Sequence, residues 1–186
     1  MTTTVIPRVP SKSLNSTRLK LKMALWWFIE GFLFRPSLHK MNGLRCFLLR
    51  FFGAKVGKNT FINSRAKIWY PWNLEIGSNG GIGFDALIYN LDKVIIEDYA
   101  TVSQRVHINT GSHDYTNPAF PLVTRPIHIG AGAFIGADSY VGWGVNIGEM
   151  AVIGARSVVV SDMPSYTVSH GHPCRPYKKF EMKIID

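Results

Sequence analysis

Five aliphatic-glycine pairs follow one another at a fixed interval of six residues: Ile129-Gly130, Ile135-Gly136, Val141-Gly142, Ile147-Gly148 and Ile153-Gly154. Four residues beyond each aliphatic stands a small or β-branched side chain, namely Ala133, Ser139, Val145, Ala151 and Ser157. A period of six is the signature of a triangular solenoid. Each hexad makes one short flat strand and one corner, and its aliphatic points inward, where stacked coils bury it in a continuous ladder. The glycine is expected to relieve a tight corner at which a Cβ would be strained. Three hexads close one coil. Upstream the same rhythm runs in blocks, as Val56-Gly57, Ile62 and Ile68, then Ile76-Gly77, Ile82-Gly83 and Ile88, then Ile96, Val102 and Ile108. Slips of two residues separate the blocks, as extra residues bulging at a corner would. Residues 56–158 therefore predict about five to six coils. Strands of an ordinary sandwich would instead carry turn signals at 8–12-residue spacing with period two. The repeat predicts a parallel coil but leaves its hand open.

Between Ile108 and Ile127 the rhythm stops for the stretch NTGSHDYTNPAFPLVTRP, residues 109–126. A long excursion from a regular solenoid is usually a functional loop. Position separates the six histidines. His107 and His128 neighbour inward isoleucines and should face outward, His39 lies in the N-terminal segment, and His170 and His172 lie near the C-terminus. Only His113 stands on the excursion.

The formal charge of +9 invites a nucleic-acid reading until the charges are located. Residues 1–58 hold eleven of the 21 Lys and Arg and a single acid, Glu30, so the surplus belongs to the N-terminal segment and not to the repeat. No nucleic-acid-binding module accompanies it. That segment contains two helical candidates, Leu19 to Phe34 and Leu44 to Phe52. The first is too short and too interrupted to cross a bilayer. Aromatic and basic residues interleaved in this way suit peripheral contact with a membrane interface, and equally suit helices packed on the core or on a neighbouring subunit. Cys46 and Cys174 are far apart, make no zinc pattern and point to a cytoplasmic protein with reduced thiols. The polar start MTTTVIPRVPSKSLNS does not read as a secretory signal.

Four stretches, LRCFLLRFFGAKVGKN, IWYPWNLEIGSN, TGSHDYTNPAF and IGARSVVVSDMPSYTVSHGHPCRPYKKF, resemble the hexapeptide-repeat sugar O-acetyltransferases, a family that includes galactoside, maltose and colanic-acid acetyltransferases. The colanic-acid type matches best, having the WYPWNLEIG-like element and an apolar, basic lead. The resemblance implies an all-β, left-handed parallel β-helix, a homotrimer with active sites between adjacent subunits, and acetyl-coenzyme A as co-substrate with no metal. It divides the chain into a helical N-terminal extension, 1–53, a β-helix, 54–163, with its excursion at 109–126, and a short C-terminal tail or helix, 164–186. It makes His113 the catalytic base, which takes a proton from a sugar hydroxyl of an exopolysaccharide or other surface-glycan precursor. Coenzyme A contacts carry over to Ala137, Ala155, Val160, Ser161, Arg175 and Lys178, although family members often have a hydroxyl and a Lys where this chain has Val160 and Ser161. Both cations suit phosphate. Acceptor contacts fall to Asp85 and Asn90, with Trp72, Tyr115 and Asn117 beside them, an aromatic ring offering a stacking face.

Three other readings share the architecture. A zinc hydratase of the carbonic-anhydrase β-helix type would use His107, His113 and His128 as ligands, some from neighbouring subunits. An antibiotic acetyltransferase would keep the loop histidine with a different acceptor. A non-catalytic scaffold would use the solenoid for assembly alone.

Overall fold

Register along the stacked strands shows how the hexads are used. In the computed structural model, which describes residues 16–182, three parallel sheets form the sides of a triangular prism. The first face contains Lys55–Val56, Leu74–Ile76, Val94–Ile96, Ile127–Ile129 and Asn146–Ile147. The second carries Phe61–Ile62, Gly81–Ile82, Thr101–Val102, Phe134–Ile135 and Val152–Ile153, and the third Lys67–Ile68, Leu87–Tyr89, His107–Asn109, Tyr140–Val141 and Val158–Val159. Five coils are complete, and a sixth begins where Met163 bridges to Ile147. Inward aliphatics stack in register, such as Ile62 on Ile82 and Ile135 on Ile153, and the interior ladder is almost wholly shielded from solvent. Residues 1–15 of the N-terminal extension and 183–186 of the tail lie outside the described residues.

The repeat glycines have a different reason from the one expected. A Cβ on Gly136 would sit 2.6 Å from both the Ala155 amide nitrogen and the Ile153 carbonyl oxygen of the next coil. The glycine thus permits close backbone approach between coils and does not supply a left-handed conformation. Left-handed φ falls two residues later, on Gly132 (φ 65°) and Gly144 (75°) but mostly on non-glycine residues, including Asn79 (59°), Asp85 (55°), Arg105 (54°), Asp138 (60°) and Arg156 (58°). Asn and Asp tolerate that region best.

Both two-residue slips occur at the corner between the third and first faces, after Ile68 and after Ile88, and the long excursion leaves from the same corner after Ile108. All departures from the hexad therefore share one edge of the prism.

The helices close the open end of the first coil. α1 (Thr17–Ile29) continues into a π-helical turn, Glu30–Phe34, and α2 (Asn42–Phe51) packs over the first strands. Trp26 is fully buried among Phe34 and Phe52, and its indole N–H donates to the Ile68 carbonyl at 2.8 Å. Arg45 is also fully buried and donates to the carbonyls of Ile62, Leu38 and His39 and to the Ser37 hydroxyl, which ties both helical segments to the coil.

Glu30 is 6% exposed and its Oε1 has no hydrogen-bond partner. Burial pushes its carboxyl above the ordinary range, with Lys67 and Arg35 opposing. A carboxyl raised on folding contributes stability that is full below its unfolded value, about 4.3, and is lost as pH rises through the folded value. Glu30→Gln is therefore expected to raise the melting temperature at pH 8, with the gain shrinking toward zero near pH 4, as paired thermal melts at the two pH values would read.

At the other end, the expected tail or helix is a strand pair. Thr167–Gly171 adds in parallel to Val152–Ile153, and Cys174–Lys179 folds back antiparallel on it. Alternating burial of Thr167, Ser169 and Cys174 continues the sheet and caps the last coil.

Candidate active site

The excursion folds as an antiparallel hairpin, Gly111–His113 against Leu122–Thr124, with His113 opposite Leu122. Its base is pinned to the solenoid. Asn109 Oδ1 accepts from the Gly111 amide at 2.9 Å, the Thr124 hydroxyl donates to Asp92 at 2.9 Å, and the Arg125 amide donates to the Thr110 carbonyl at 3.0 Å. Its tip is held by Asp114, whose carboxylate accepts from the Thr116 amide and hydroxyl at 2.9 and 2.6 Å. These bonds hold the Asp114 carboxyl below its usual range, so it stays ionised at neutral pH.

His113 is exposed, with its ring flat against Phe120, centroids 4.5 Å apart and planes 6° apart. Its Nδ1 lies 3.0 Å from the Phe120 carbonyl oxygen. A carbonyl oxygen can only accept, so in the neutral ring Nδ1 carries the proton and Nε2 keeps a free lone pair. The ring borders a cleft of about 600 Å³ whose walls include Tyr115, Thr116, Thr124, Arg125 and Trp143. The Arg125 guanidinium lies over the Trp143 ring, 4.6 Å from its centroid. The cleft thus brings together an imidazole, hydroxyls, a cation and an aromatic surface.

The residues expected to act together are dispersed. Tyr115 lines the cleft and is 85% exposed. Asn117 is exposed at the hairpin tip, with its side-chain oxygen accepting from the Ala119 amide. Trp72 lies on the same edge two coils nearer the helices, stacked on Tyr70 with the Lys22 ammonium over its ring. Asp85 is on a different corner, paired through both oxygens with Arg65 at 2.9 and 2.5 Å. Asn90 is fully buried, and its amide both accepts from and donates to the Tyr70 backbone, at 2.9 and 2.7 Å. Those bonds clamp two coils together and leave Asn90 no surface for a sugar, which corrects its expected acceptor role.

Ala137 and Ala155 follow the second-face glycines one coil apart, where Arg156 N–H donates to the Ala137 carbonyl. Val160 and Ser161 follow the last third-face strand, on the same edge as Trp143 and one coil beyond it by the register Val141↔Val159. The two groups flank the third face from opposite edges. Arg175 and Lys178 are exposed on the final strand. Phe120, Arg125 and Trp143 escaped the sequence reading. For Trp143 the run Gly142-Trp143-Gly144 was the available signal, an indole set between two glycines where the neighbouring hexads have Ala137 and Glu149.

The three zinc-hydratase candidates occupy separate elements. His107 is on the third face, where burial lowers its pKa and keeps it neutral, His113 is on the hairpin, and His128 is on the first face with Nε2 2.9 Å from Glu97. Among the described residues no group of three or more His, Cys, Asp or Glu side chains could hold a metal ion.

Triangular coils interrupted by one histidine-bearing hairpin define a hexapeptide-repeat solenoid. The family described as "Hexapeptide repeat of succinyl-transferase" matches residues 126–160. A protein of Escherichia coli K12 named as a colanic acid biosynthesis acetyltransferase, WcaF, is 39% identical over 153 residues, covering 82% of this chain and 84% of that one. Among solved structures, a maltose O-acetyltransferase from Clostridium difficile 630 superposes with a TM-score of 0.82 at 29% identity, over 90% of this chain and 91% of the other. A hexapeptide-repeat acetyltransferase from Vibrio cholerae, complexed with acetyl-coenzyme A, gives 0.82 at 22% identity over 92% and 94% of the two chains, which shows the shared fold. The chain belongs to the hexapeptide-repeat acetyltransferases, enzymes built on a left-handed parallel β-helix.

Proposed function

We propose that this acetyltransferase moves an acetyl group from acetyl-coenzyme A to a hydroxyl of a sugar, in an exopolysaccharide or other surface-glycan precursor, with His113 as general base. The observation that supports it most is the Nδ1 contact with the Phe120 carbonyl, which leaves Nε2 of the neutral ring with a lone pair on a histidine that lines the cleft.

A sugar hydroxyl is a weak nucleophile at neutral pH. Nε2 takes its proton as the oxygen attacks the thioester carbonyl, and the Phe120 carbonyl supports the imidazolium that forms. The tetrahedral oxyanion collapses with cleavage of the C–S bond, and the departing thiolate recovers the proton from His113. The Thr116 and Thr124 hydroxyls lie in the same cleft; each donates its proton to a carboxylate, which leaves its oxygen suited to accept from an acceptor hydroxyl. Tyr115 and Trp143 offer stacking faces for a sugar ring. For the donor, Ala137, Ala155, Val160 and Ser161 leave the third face low-walled for a pantetheine arm, and Arg175 and Lys178 supply charge for phosphates. Val160 brings no hydroxyl to that role. The exposure of His113 in a single chain fits a homotrimer in which a neighbour completes the cleft. A cytoplasmic setting suits the two free, buried thiols.

Incubating the full chain with acetyl-labelled acetyl-coenzyme A and a panel of free and lipid-linked saccharides and hydroxyl-bearing antibiotics, with a parallel zinc determination and carbon dioxide hydration assay, tests the proposal. Label in a saccharide fraction is expected. Label only in antibiotic acceptors would move the enzyme to xenobiotic acetylation, and stoichiometric zinc with carbon dioxide hydration would replace the proposal.

A further inference from the structure

Helix α1 is apolar on two sides, yet the protein covers only one. Trp26 is buried against the coil. On the outer side Leu21, Leu25, Phe28 and Phe32 form one stripe, 71, 51, 58 and 69% exposed, with the Phe28 and Phe32 rings 4.6 Å apart. From α2, Phe47 and Phe51 extend it, and an apolar groove between the helices is lined by Leu25, Ile29, Phe47 and Phe51. Exposed apolar area on this scale marks an interaction surface.

Charge says what covers it. Arg18, Lys20, Lys22, Arg35, Lys40 and Arg50 are all exposed on this part of the chain. The single acid of residues 1–58, Glu30, is buried. The arm therefore presents cations around an apolar stripe with no exposed carboxylate among its described residues. A symmetric contact between two such arms would set cation against cation. An anionic lipid surface satisfies both features, because headgroup phosphates meet the cations while Leu and Phe enter the acyl boundary. No described helix is long and apolar enough to span.

We propose that the outer face of the two helices seats the enzyme on the surface of an anionic bilayer, with Leu21, Leu25, Phe28, Phe32, Phe47 and Phe51 inserted shallowly and the surrounding Lys and Arg on the headgroups. The proposal rests on the arm alone and stands whether or not His113 is the base.

Co-sedimentation of the full chain with extruded vesicles tests it. Vesicles containing phosphatidylglycerol are expected to carry the protein down, with affinity at least about tenfold lower for pure phosphatidylcholine. The triple variant Phe28→Ser, Phe32→Ser, Phe51→Ser is expected to weaken binding about tenfold or more, and so is Lys20→Glu with Lys40→Glu, both with unchanged circular dichroism and unchanged acetyl transfer to a free saccharide. The proposal is overturned if the parent stays in solution with phosphatidylglycerol vesicles, if either variant binds as the parent does, or if the serine variant lowers the oligomeric mass by light scattering. That last result would make the stripe an interface between copies.

Discussion

His113→Ala should lower kcat for acetyl transfer by roughly 10²- to 10⁴-fold, the usual contribution of a positioned general base, while the KM for acetyl-coenzyme A stays within a few-fold of the parent. The split follows from the geometry. His113 lies on the hairpin, whereas the positions proposed for the donor flank the third face and the final strand. Folding should be unaffected, because the ring is exposed and rests only on Phe120. Steady-state release of the coenzyme thiol, followed with a thiol reagent in the presence of acceptor, reads both constants. A variant turning over at near the parental rate would remove His113 from the mechanism.

Arg45→Ala should destabilise the protein by about 3 kcal/mol, because it takes the donor from the buried Ile62 carbonyl and Ser37 hydroxyl and from the part-buried Leu38 and His39 carbonyls at once, and a single buried loss costs about 1–3 kcal/mol. The Ile62, Leu38 and His39 carbonyls and the Ser37 hydroxyl all converge on this one guanidinium. Arg45→Lys should recover only part of the loss, since an ammonium cannot reproduce the planar fork. Urea unfolding of the three proteins under identical conditions gives the comparison, and an Ala variant within about 0.5 kcal/mol of the parent, the spread of ordinary surface substitutions, would show that the helical cap does not depend on this residue.

The architecture was legible because its cause is local and repeated. Each hexad needs an inward aliphatic, and the stacked register of Ile62, Ile82 and Val102 returns that requirement coil after coil. The interruption was legible for the same reason, since a broken rhythm is as visible as a kept one. The purpose of the glycines was hidden: clearance at Gly136 is set by Ala155, nineteen positions away, and no local spacing reports it. Asn90 misled in a similar way. A polar residue near a corner looks available, but here its amide is spent on the Tyr70 backbone of the previous coil. Helices 17–29 and 42–51 were foreseeable from apolar runs, whereas the buried guanidinium of Arg45 looked like one more surface cation. At the site, sequence pointed to His113, but only the fold shows the stack on Phe120 and the carbonyl that sets the tautomer.

The central claim is that the hairpin catalyses formation of an ester on a sugar hydroxyl, and the nature of the new bond tests it most directly. With acetyl-labelled acetyl-coenzyme A and a saccharide acceptor, the account predicts label that stays with the saccharide through chromatography and is released as acetate by mild alkali, with the initial rate of labelling lowered roughly 10²- to 10⁴-fold in His113→Ala. Label that resists mild alkali, as an amide would, or no label on any saccharide, would contradict it.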